Sequence, residues 1–330
     1  RRCANRRYGS VGVVRISQKR TLSGRPDLAG GYGRFTPYAV GQRIAHIHAR
    51  PRRPTPRRAA PLSLKLGIRN VPRRDRLSAI TAPMPKPFLL LQIRPEDDTS
   101  DSEFAAILKH GRLEDRDVRR LRIEHSGIPG DLRLDDYCAV IVGGSPFDIS
   151  TPQDRKSVLQ NRIEDDFNRL FEDLVSRDFP FLGACSGNTL LGAYLGTPIS
   201  TRYGEPVGLA ILELTEAGKR DPLLTGFPDR IAVLLGHKEA CDATPAGATL
   251  LMTGARCPVQ MFRLGQNVYA TQFHPEGDAE GFAVRIHAYK LHGYFEPHEA
   301  ERLIEAVGAQ QTPHAQDILK RFVERYRGGS

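Results

Sequence analysis

Cys185 stands between two glycines in the segment GACSG, residues 183–187. The apolar run 179–184 before it predicts a buried strand, and a helix is expected to follow. A sharp turn from strand to helix needs small flanking residues, as in the G-x-S-x-G turn of hydrolases, and Gly183 and Gly187 meet that need. The dipole of the following helix favours thiolate over thiol. The pattern therefore predicts that Cys185 is a nucleophile.

A thiolate nucleophile needs a base, and the base needs a group that orients it. The segment ATQFHPE, residues 270–276, offers both. His274 follows a predicted strand, and Pro275 stiffens the turn that keeps Glu276 close to it. We therefore predict that His274 is the base and that Glu276 holds the imidazole tautomer, so that the chain order is Cys, His, Glu.

Attack on an amide carbon places negative charge on oxygen, and removing one donor to such an oxyanion costs about 3 kcal/mol. The segment VGGSPFD, residues 142–148, ends a predicted strand with two glycines. Gly143 and Gly144 can turn backbone N–H groups toward a cleft. The N–H of Ser186, directly after the nucleophile, is expected to be the second donor.

Each of these residues also has a structural interpretation. A cysteine between glycines can be a small apolar core residue, and a histidine after a strand is more often structural or merely exposed. The other cysteines point to no site: Cys138 is expected in the core, and Cys241 and Cys257 are expected to be incidental. The spacings contain no metal-binding pattern. The combination of nucleophile, base and glycine turn favours catalysis.

Strands and helices alternate along the chain from residue 88 onward. Strands are predicted at 88–93, 118–123, 137–142, 179–184, 207–214, 231–235, 249–253, 259–264 and 268–273, and helices at 102–110, 155–175, 278–291, 297–307 and 313–326. This alternation predicts an α/β fold with an open, mostly parallel sheet and helices on both faces. Ligands of such sheets bind at the carboxyl ends of the strands. We expect residues 84–292 to form this domain and residues 293–330 to form a C-terminal helical extension.

The net positive charge of the chain comes entirely from its first 83 residues. They hold 20 of the 48 Lys and Arg residues and two acidic residues, whereas residues 84–330 hold 28 basic and 36 acidic ones. This Arg- and Pro-rich leader is expected to be disordered. Three interpretations remain open: translated sequence upstream of a start at Met84, a basic arm that binds nucleic acid or an acidic membrane surface, and a targeting segment. Apart from the leader, nucleic-acid binding is not expected.

No apolar stretch approaches the roughly 18 residues of a membrane span. The five cysteines lack the density of a disulfide scaffold, so reduced thiols are expected. A cytoplasmic protein without membrane contact is the default.

Three motifs, in this order and spacing, resemble class I (triad-type) glutamine amidotransferases: GGSP at 143–146, GACSG at 183–187 and QFHPE at 272–276. The resemblance covers roughly residues 88–291. Within the family, the stretch 257–276 and the turn after His237 look most like stand-alone domains related to the amidotransferase part of GMP synthase.

The resemblance implies a flavodoxin-like fold and hydrolysis of the glutamine side-chain amide without metal or organic cofactor. Cys185 would attack the carboxamide, and N–H groups near Gly144 and at Ser186 would hold the oxyanion. His274 would protonate the departing ammonia, and water would release glutamate from the thioester.

The substrate-binding residues implied by the resemblance are Ser145, Thr189 and Gln272. The family pattern G-x-C-x-G-x-Q usually has a glutamine at the position of Thr189, and the shorter threonine reaches less far. Either the pocket is rebuilt, or the substrate is not free glutamine. His237 lies where relatives often carry a histidine and is expected either in a cleft or interface, or as a structural residue.

Three functions remain open. The sequence has no P-loop, no SGGxDS loop and no GxGxxG, so a glutaminase would supply ammonia to a separate synthetase subunit. The second function is a γ-glutamyl hydrolase or peptidase that uses the same triad on a γ-glutamyl amide. The third is a non-catalytic binding or regulatory module. Intact Cys185, His274 and Glu276 favour the first two.

Overall fold

The computed structural model of the protein describes residues 85–328. The predictions for residues 1–83 and for a start at Met84 lie outside the described residues. Within the described part, the strands are β1 (Phe88–Gln92), β2 (Val118–Arg122), β3 (Ala139–Val142), β4 (Phe181–Ala184), β5 (Ile199–Ser200), β6 (Glu205–Leu214), β7 (Arg230–His237), β8 (Ala240–Cys241), β9 (Ala248–Gly254), β10 (Met261–Leu264) and β11 (Val268–Thr271). The helices are α1 (Asp97–Gly111), α2 (Ile123–Ser126), α3 (Val158–Ser176), α4 (Ser186–Tyr194), α5 (Glu216–Lys219), α6 (Ala279–Tyr289), α7 (Ala300–Gly308) and α8 (Pro313–Tyr326).

Nine strands form one mixed sheet in the order β2-β1-β3-β4-β11-β10-β9-β6-β7. The five strands from β2 to β11 are parallel, and the four beyond them pair antiparallel. The prediction of an open α/β sheet is confirmed. Its antiparallel half follows from short connections such as the turn at Gly265 between β10 and β11, since a tight turn can join only antiparallel neighbours.

The parallel strands are buried on both faces. In β1, Phe88 and Leu90 pack into one core cluster, whereas Leu89 and Leu91 pack into another. Successive side chains of a strand point to opposite faces, so a strand covered on both sides is apolar throughout. This is why the run FLLLQ carries no alternation of apolar and polar residues.

Helices cover both faces of the sheet. Phe167 and Phe171 of α3 pack in the cluster of Leu89, together with residues of α4. Helix α8 packs in the cluster of Leu90, where Phe322 is fully buried and its ring lies edge-on to Tyr269 of β11, with centroids 6.5 Å apart. The last helix of the C-terminal segment is therefore part of the core of the sheet.

Helices α6 and α7 cover the end of the sheet nearest β7. Phe282 and Ile286 of α6 pack with Val307 of α7 and Leu234 of β7. This arrangement brings the chain segment between α6 and α7 over the carboxyl ends of β4 and β11. None of the helices in residues 85–328 is both long and apolar enough to cross a bilayer.

Candidate active site

Cys185 occupies the turn between β4 and α4 in a strained backbone conformation. Its φ of 52° and ψ of −98° lie outside the regions that non-glycine residues favour. Its N–H donates to the carbonyl of Thr271 in the neighbouring strand β11 at 2.8 Å. This hydrogen bond and the start of α4 hold the cysteine at the carboxyl edge of the sheet.

The two glycines that flank the cysteine permit the close fold-back of this turn. A Cβ on Gly183 would lie 2.8 Å from the backbone of Gly187, a distance that real Cβ atoms do not reach. A Cβ on Gly187 would lie 3.2 Å from the Cβ of Val142 in β3. The elbow geometry thus gives a physical reason for glycine at both positions.

His274 is oriented by Glu276, two residues further along the chain. Nδ1 of the imidazole lies 2.7 Å from Oε1 of the carboxylate, and both side chains are at most 5% exposed. Because an ionised carboxylate can only accept, Nδ1 carries the hydrogen and Nε2 is the free nitrogen. The ring also packs edge-on against Phe282 of α6.

Burial and nearby charges set the protonation of this pair. Burial lowers the pKa of His274, and the positive charges of Arg285 and Arg94 lower it further against the opposing effect of Glu276. Burial by itself would raise the pKa of Glu276, but His274 and Arg285 hold it well below its usual range. At neutral pH the histidine is therefore neutral and the glutamate is ionised, which is the state that a general base requires.

The half-buried thiol of Cys185 is affected by burial and by two nearby arginines. Burial raises its pKa to about 12, although Arg94 and Arg285 oppose that shift. This shift is opposite in direction to the effect expected from the dipole of α4, because desolvation disfavours the charged thiolate. Proton transfer from sulfur to His274 is consequently uphill before a substrate enters.

A buried network of charges supports the triad, and no sequence pattern indicated it. Arg285 of α6 donates from Nη2 to Oε1 of Glu276 at 2.8 Å and lies 3.6 Å from Oε2 of Glu103. Glu103 of α1 is fully buried and accepts from Nε of Arg94 at 2.6 Å. These residues come from two distant segments, 94–103 and 276–285, so only the tertiary structure brings them together.

The predicted oxyanion donors Gly143 and Gly144 have protein acceptors in this structure. The N–H of Gly143 donates to the carbonyl of Leu91 at 3.2 Å, because β3 continues its pairing with β1 by one residue. The N–H of Gly144 donates to Oε2 of Glu103 at 3.3 Å. Ser186 is the first residue of α4. Its N–H has no acceptor within the helix, because the first N–H groups of a helix lack one.

The glycine pair also makes room for the charge network. A Cβ on Gly143 would lie 2.2 Å from Oε1 of Glu103, and a Cβ on Gly144 would lie 2.5 Å from Nη2 of Arg94 and 2.8 Å from Cε1 of His274. Side chains at these two positions would displace the network or the catalytic ring.

Cys185 lies between two small pockets. The first, which we call the arginine pocket, has a volume of about 40 Å³ and is lined by Arg94, Ser145, Cys185, Val207, Gly236, His274, Phe282, Arg285, Ile286, Tyr289, Tyr294 and Phe295. The second, which we call the polar pocket, has a volume of about 10 Å³ and is lined by Ser145, Phe147, Asp148, Cys185, Ser186, Thr189, His237, Lys238, Glu239, Gln272 and Tyr294. All three predicted substrate-binding residues line the polar pocket.

Those three residues differ in the hydrogen bonds that their side chains make. Thr189 donates to the carbonyl of Ser186 within its own helix at 3.3 Å, and Oγ of Ser145 accepts from the N–H of Phe147 at 2.9 Å. The buried amide of Gln272 has no hydrogen-bond partner at either its nitrogen or its oxygen. A buried amide without partners is costly, so this side chain is ready to bind a polar ligand.

Tyr294 covers both pockets. It belongs to the segment between α6 and α7, and its hydroxyl lies 3.5 Å from the carbonyl of Ser145. Nζ of Lys238 lies 4.8 Å from the centroid of its ring. This tyrosine was not predicted as a site residue, because no motif marks a side chain that reaches a site from outside the domain that carries the motifs.

Comparison with known proteins agrees with this geometry. The family model for class-I glutamine amidotransferases matches residues 105–291, which is more than half of the chain. The chain is 29% identical over 146 residues to the glutamine amidotransferase-like protein YfeJ of Salmonella typhimurium, an alignment that covers 44% of this chain and 59% of YfeJ. The chain therefore spans less than two thirds of the length of that relative. It is also 25% identical over 165 residues to a glutamine-hydrolyzing GMP synthase subunit of Thermoplasma acidophilum, over 49% of this chain and 76% of that one.

A solved structure shows the same fold. The glutamine amidotransferase of Thermotoga maritima superimposes with a TM-score of 0.59 at 22% sequence identity, over 73% of this chain and 98% of that one. The family match, the relatives and the shared fold point in the same direction as the three sequence motifs. The chain belongs to the class-I glutamine amidotransferase family.

Proposed function

We propose that this protein hydrolyses the side-chain amide of glutamine through Cys185, His274 and Glu276 and supplies the ammonia to a separate acceptor protein. One observation carries the proposal: a neutral, buried His274, oriented by Glu276 at 2.7 Å, lines the same pocket as the cysteine of a strained elbow. This is the arrangement of nucleophile, base and orienting group that acyl transfer needs.

The reaction proceeds in two halves. Nε2 of His274 takes the proton from the thiol as sulfur attacks the carboxamide carbon, and the carbonyl electron pair moves onto oxygen. As the C–N bond breaks, Nε2–H gives its proton to the departing nitrogen, so ammonia leaves and a thioester remains. Water then attacks the thioester with His274 as base, the C–S bond breaks, and glutamate and the thiol are released.

The oxyanion would receive two backbone N–H groups. Ser186 supplies one from the start of α4, where no acceptor in the helix competes for it. Gly144 supplies the other once its N–H leaves Glu103, and the present length of 3.3 Å makes that hydrogen bond a weak one. The N–H of Gly143 stays in the sheet, so this glycine acts by making room for Glu103.

The two pockets divide the substrate between its leaving group and its glutamyl part. His274 lines the arginine pocket but not the polar pocket, and it must reach the leaving nitrogen. The arginine pocket therefore takes the leaving group.

The glutamyl part of the substrate would enter the polar pocket. The unpartnered amide of Gln272 and the ammonium of Lys238 lie there and can bind the α-amino and α-carboxylate groups. This placement compensates for Thr189, which stands where the family has a glutamine. Tyr294 lines both pockets, so it lies where the substrate would enter.

A separate acceptor is supported by what the described residues contain. Residues 85–328 hold one large sheet with its helices, and no second catalytic domain is present among them to use ammonia. The relative from Thermoplasma acidophilum is itself named as one subunit of a synthase. An acceptor protein that docks over the arginine pocket would collect the ammonia at its source.

The first test is covalent labelling of the full chain with a diazoketone analogue of glutamine, followed by intact mass and peptide mapping. We expect a single adduct on Cys185 that excess glutamine prevents. Cys185→Ala should give no adduct, and Cys138→Ser, which removes a buried thiol at the amino end of β3, should be labelled like the parent.

Two results would count against the proposal. An adduct elsewhere than Cys185 would refute the nucleophile. Labelling of Cys185 by a simple alkylating agent but not by the analogue would mean a pocket that does not bind glutamine. A panel of γ-glutamyl amines would then be assayed, since a higher kcat/KM for these than for glutamine would identify a γ-glutamyl hydrolase.

A further inference from the structure

Three side chains of metal-binding type meet outside the catalytic triad. Glu205 at the start of β6, His237 at the end of β7 and Cys257 in the loop between β9 and β10 each offer one ligand atom, and these atoms all lie within 4.8 Å of one another. The side chains of His237 and Glu205 are 2% and 5% exposed, and Cys257 is fully buried. The sequence showed no metal-binding spacing, because the three residues come together only through the antiparallel half of the sheet.

The histidine of this cluster is oriented as metal-binding histidines are. Nδ1 of His237 lies 2.9 Å from the backbone carbonyl oxygen of Glu239, which can only accept. Nδ1 therefore carries a hydrogen, and Nε2 faces Oε2 of Glu205 at 3.1 Å. A hydrogen bond from Nδ1–H to a carbonyl, with Nε2 aimed at the other ligands, is the usual support of an imidazole that binds a metal.

A fourth donor lies beside the cluster. Nε2 of Gln260 is 2.5 Å from Oε2 of Glu205, while the amide oxygen of the same side chain is buried without a partner. Rotating the amide by half a turn satisfies neither group in the absence of a cation, since two oxygens would then face each other. With a cation between the two oxygens, the amide oxygen of Gln260 becomes a metal ligand and is no longer without a partner.

The charges and donor types select the metal. We propose that Glu205, His237 and Cys257, with the amide oxygen of Gln260, bind a Zn²⁺ ion. A carboxylate and a thiolate together neutralise a divalent cation, and a set of N, S and O donors suits zinc better than magnesium or calcium. Zinc bonds of about 2.0 to 2.3 Å in a tetrahedron separate ligand atoms by about 3.3 to 3.8 Å. The 3.1 Å between Nε2 of His237 and Oε2 of Glu205 would therefore widen slightly on binding.

The alternative to a zinc site is a cluster held by hydrogen bonds alone. Without a metal, one hydrogen bond joins His237 to Glu205 at 3.1 Å, and the thiol of Cys257 has its contact with the carbonyl of Val259 at 3.6 Å. That state accounts for the histidine and the glutamate but leaves the amide oxygen of Gln260 unpaired. The zinc site engages all four side chains.

The ion would sit behind the wall of the polar pocket. His237 lines that pocket, and the neighbouring Glu239 accepts from the N–H groups of Ile149 and Ser150 at 2.7 Å each. Zinc would thus fix the position of the β7 end and of the segment that follows the glycine turn. The site is argued from its own donors and does not depend on the proposed glutaminase activity.

The test is a titration of the reduced, chelator-treated full chain with Co²⁺, a spectroscopic substitute for Zn²⁺. Cys185→Ala serves as the parent, so that the catalytic thiol cannot contribute a ligand. We expect binding of one Co²⁺ with a thiolate-to-metal charge-transfer band in the near ultraviolet, and loss of that band when Zn²⁺ is added.

Variants of the parent assign the ligands. Cys257→Ser should abolish the charge-transfer band, and Cys138→Ser, which removes a buried thiol at the amino end of β3, should retain it. Zn²⁺ should raise the Tm of the parent and of Cys138→Ser but leave that of Cys257→Ser unchanged. The proposal is overturned if the parent shows no charge-transfer band, or if the band survives in Cys257→Ser. The absence of the band in the parent is measured without any substitution in the cluster, so that result does not depend on whether the cluster variants fold.

Discussion

At the scale of single residues, the catalytic pair is tuned by charges that lie beyond it. Arg285 contacts the carboxylate of Glu276, and its positive charge lowers the pKa of His274. Arg94, which lines the same pocket, adds to that effect. The arginines therefore keep the base unprotonated and stabilise the thiolate that it generates from Cys185.

We expect Arg285→Met to shift the pH dependence of kcat/KM. The substitution removes a positive charge that lowers the pKa of His274. That pKa therefore rises, and the acid limb of the profile moves to higher pH. The rate should fall by roughly tenfold to a hundredfold, a part of what general acid–base catalysis contributes. Steady-state kinetics between pH 5 and pH 9 would measure both effects.

Arg285→Lys should restore part of the rate and return the acid limb toward its original pH, because it keeps the charge. Arg302→Met, on the exposed part of α7, serves as the control for a lost surface arginine. A loss of activity in Arg285→Met without movement of the acid limb would show that the residue acts only through folding.

At the scale of elements, the segment between α6 and α7 closes the site. Tyr294 lines both pockets around Cys185, and Gly293 beside it has a φ of 77° that suits glycine. Burial raises the pKa of the thiol, and we expect the ring of Tyr294 to contribute to that burial. Opening of the segment would therefore both admit substrate and make the nucleophile more acidic.

We expect Tyr294→Ala to speed alkylation of Cys185 by iodoacetamide. Water that replaces the ring lowers the pKa of the thiol, which increases the thiolate fraction about tenfold for each unit. The lower basicity of the thiolate reduces its reactivity in part, so the net gain is about threefold for each unit. Tyr137→Ala, which removes a half-buried tyrosine directly before β3, at the opposite end of that strand from the glycine turn, is the control. An alkylation rate equal to that of the parent would mean that the tyrosine does not shield the thiol.

At the scale of the whole molecule, the C-terminal helix completes the core that supports the site. Phe322 of α8 is fully buried and packs against Tyr269 of β11, the strand that leads into His274. The family model ends at residue 291, so this part of the core lies beyond it. The extension therefore stabilises the sheet, whatever else α7 contacts.

We expect Phe322→Ala to reduce the free energy of unfolding by about 3 to 5 kcal/mol, the usual cost of a large aromatic cavity. Glu324→Ala, on the exposed face of the same helix, should change it by less than about 0.5 kcal/mol. Urea unfolding followed by circular dichroism measures both. Equal effects of the two substitutions would show that α8 is appended to the domain and does not contribute to its core.

The sequence by itself determined the fold class, the family and the order of the main elements. Apolar runs such as that of β1 and helical spacing such as that of α3 are local patterns, and they predicted most boundaries to within a few residues. The elbow around Cys185 and the adjacency of His274 and Glu276 are also local, since each depends on residues two or three positions apart. The short elements β5, β8, α2 and α5 were not predicted, because segments of two to four residues carry too little periodicity.

The tertiary structure alone decided what depends on residues distant in sequence. Glu103 and Arg285 are 182 positions apart, yet they share one buried charge network because α1 and α6 pack on the same side of the sheet. The same network engages the N–H of Gly144, and burial raises the pKa of the Cys185 thiol, two effects that no local sequence pattern indicated. Local patterns record which backbone forms, whereas burial and charge at a site depend on the side chains that other segments bring to it.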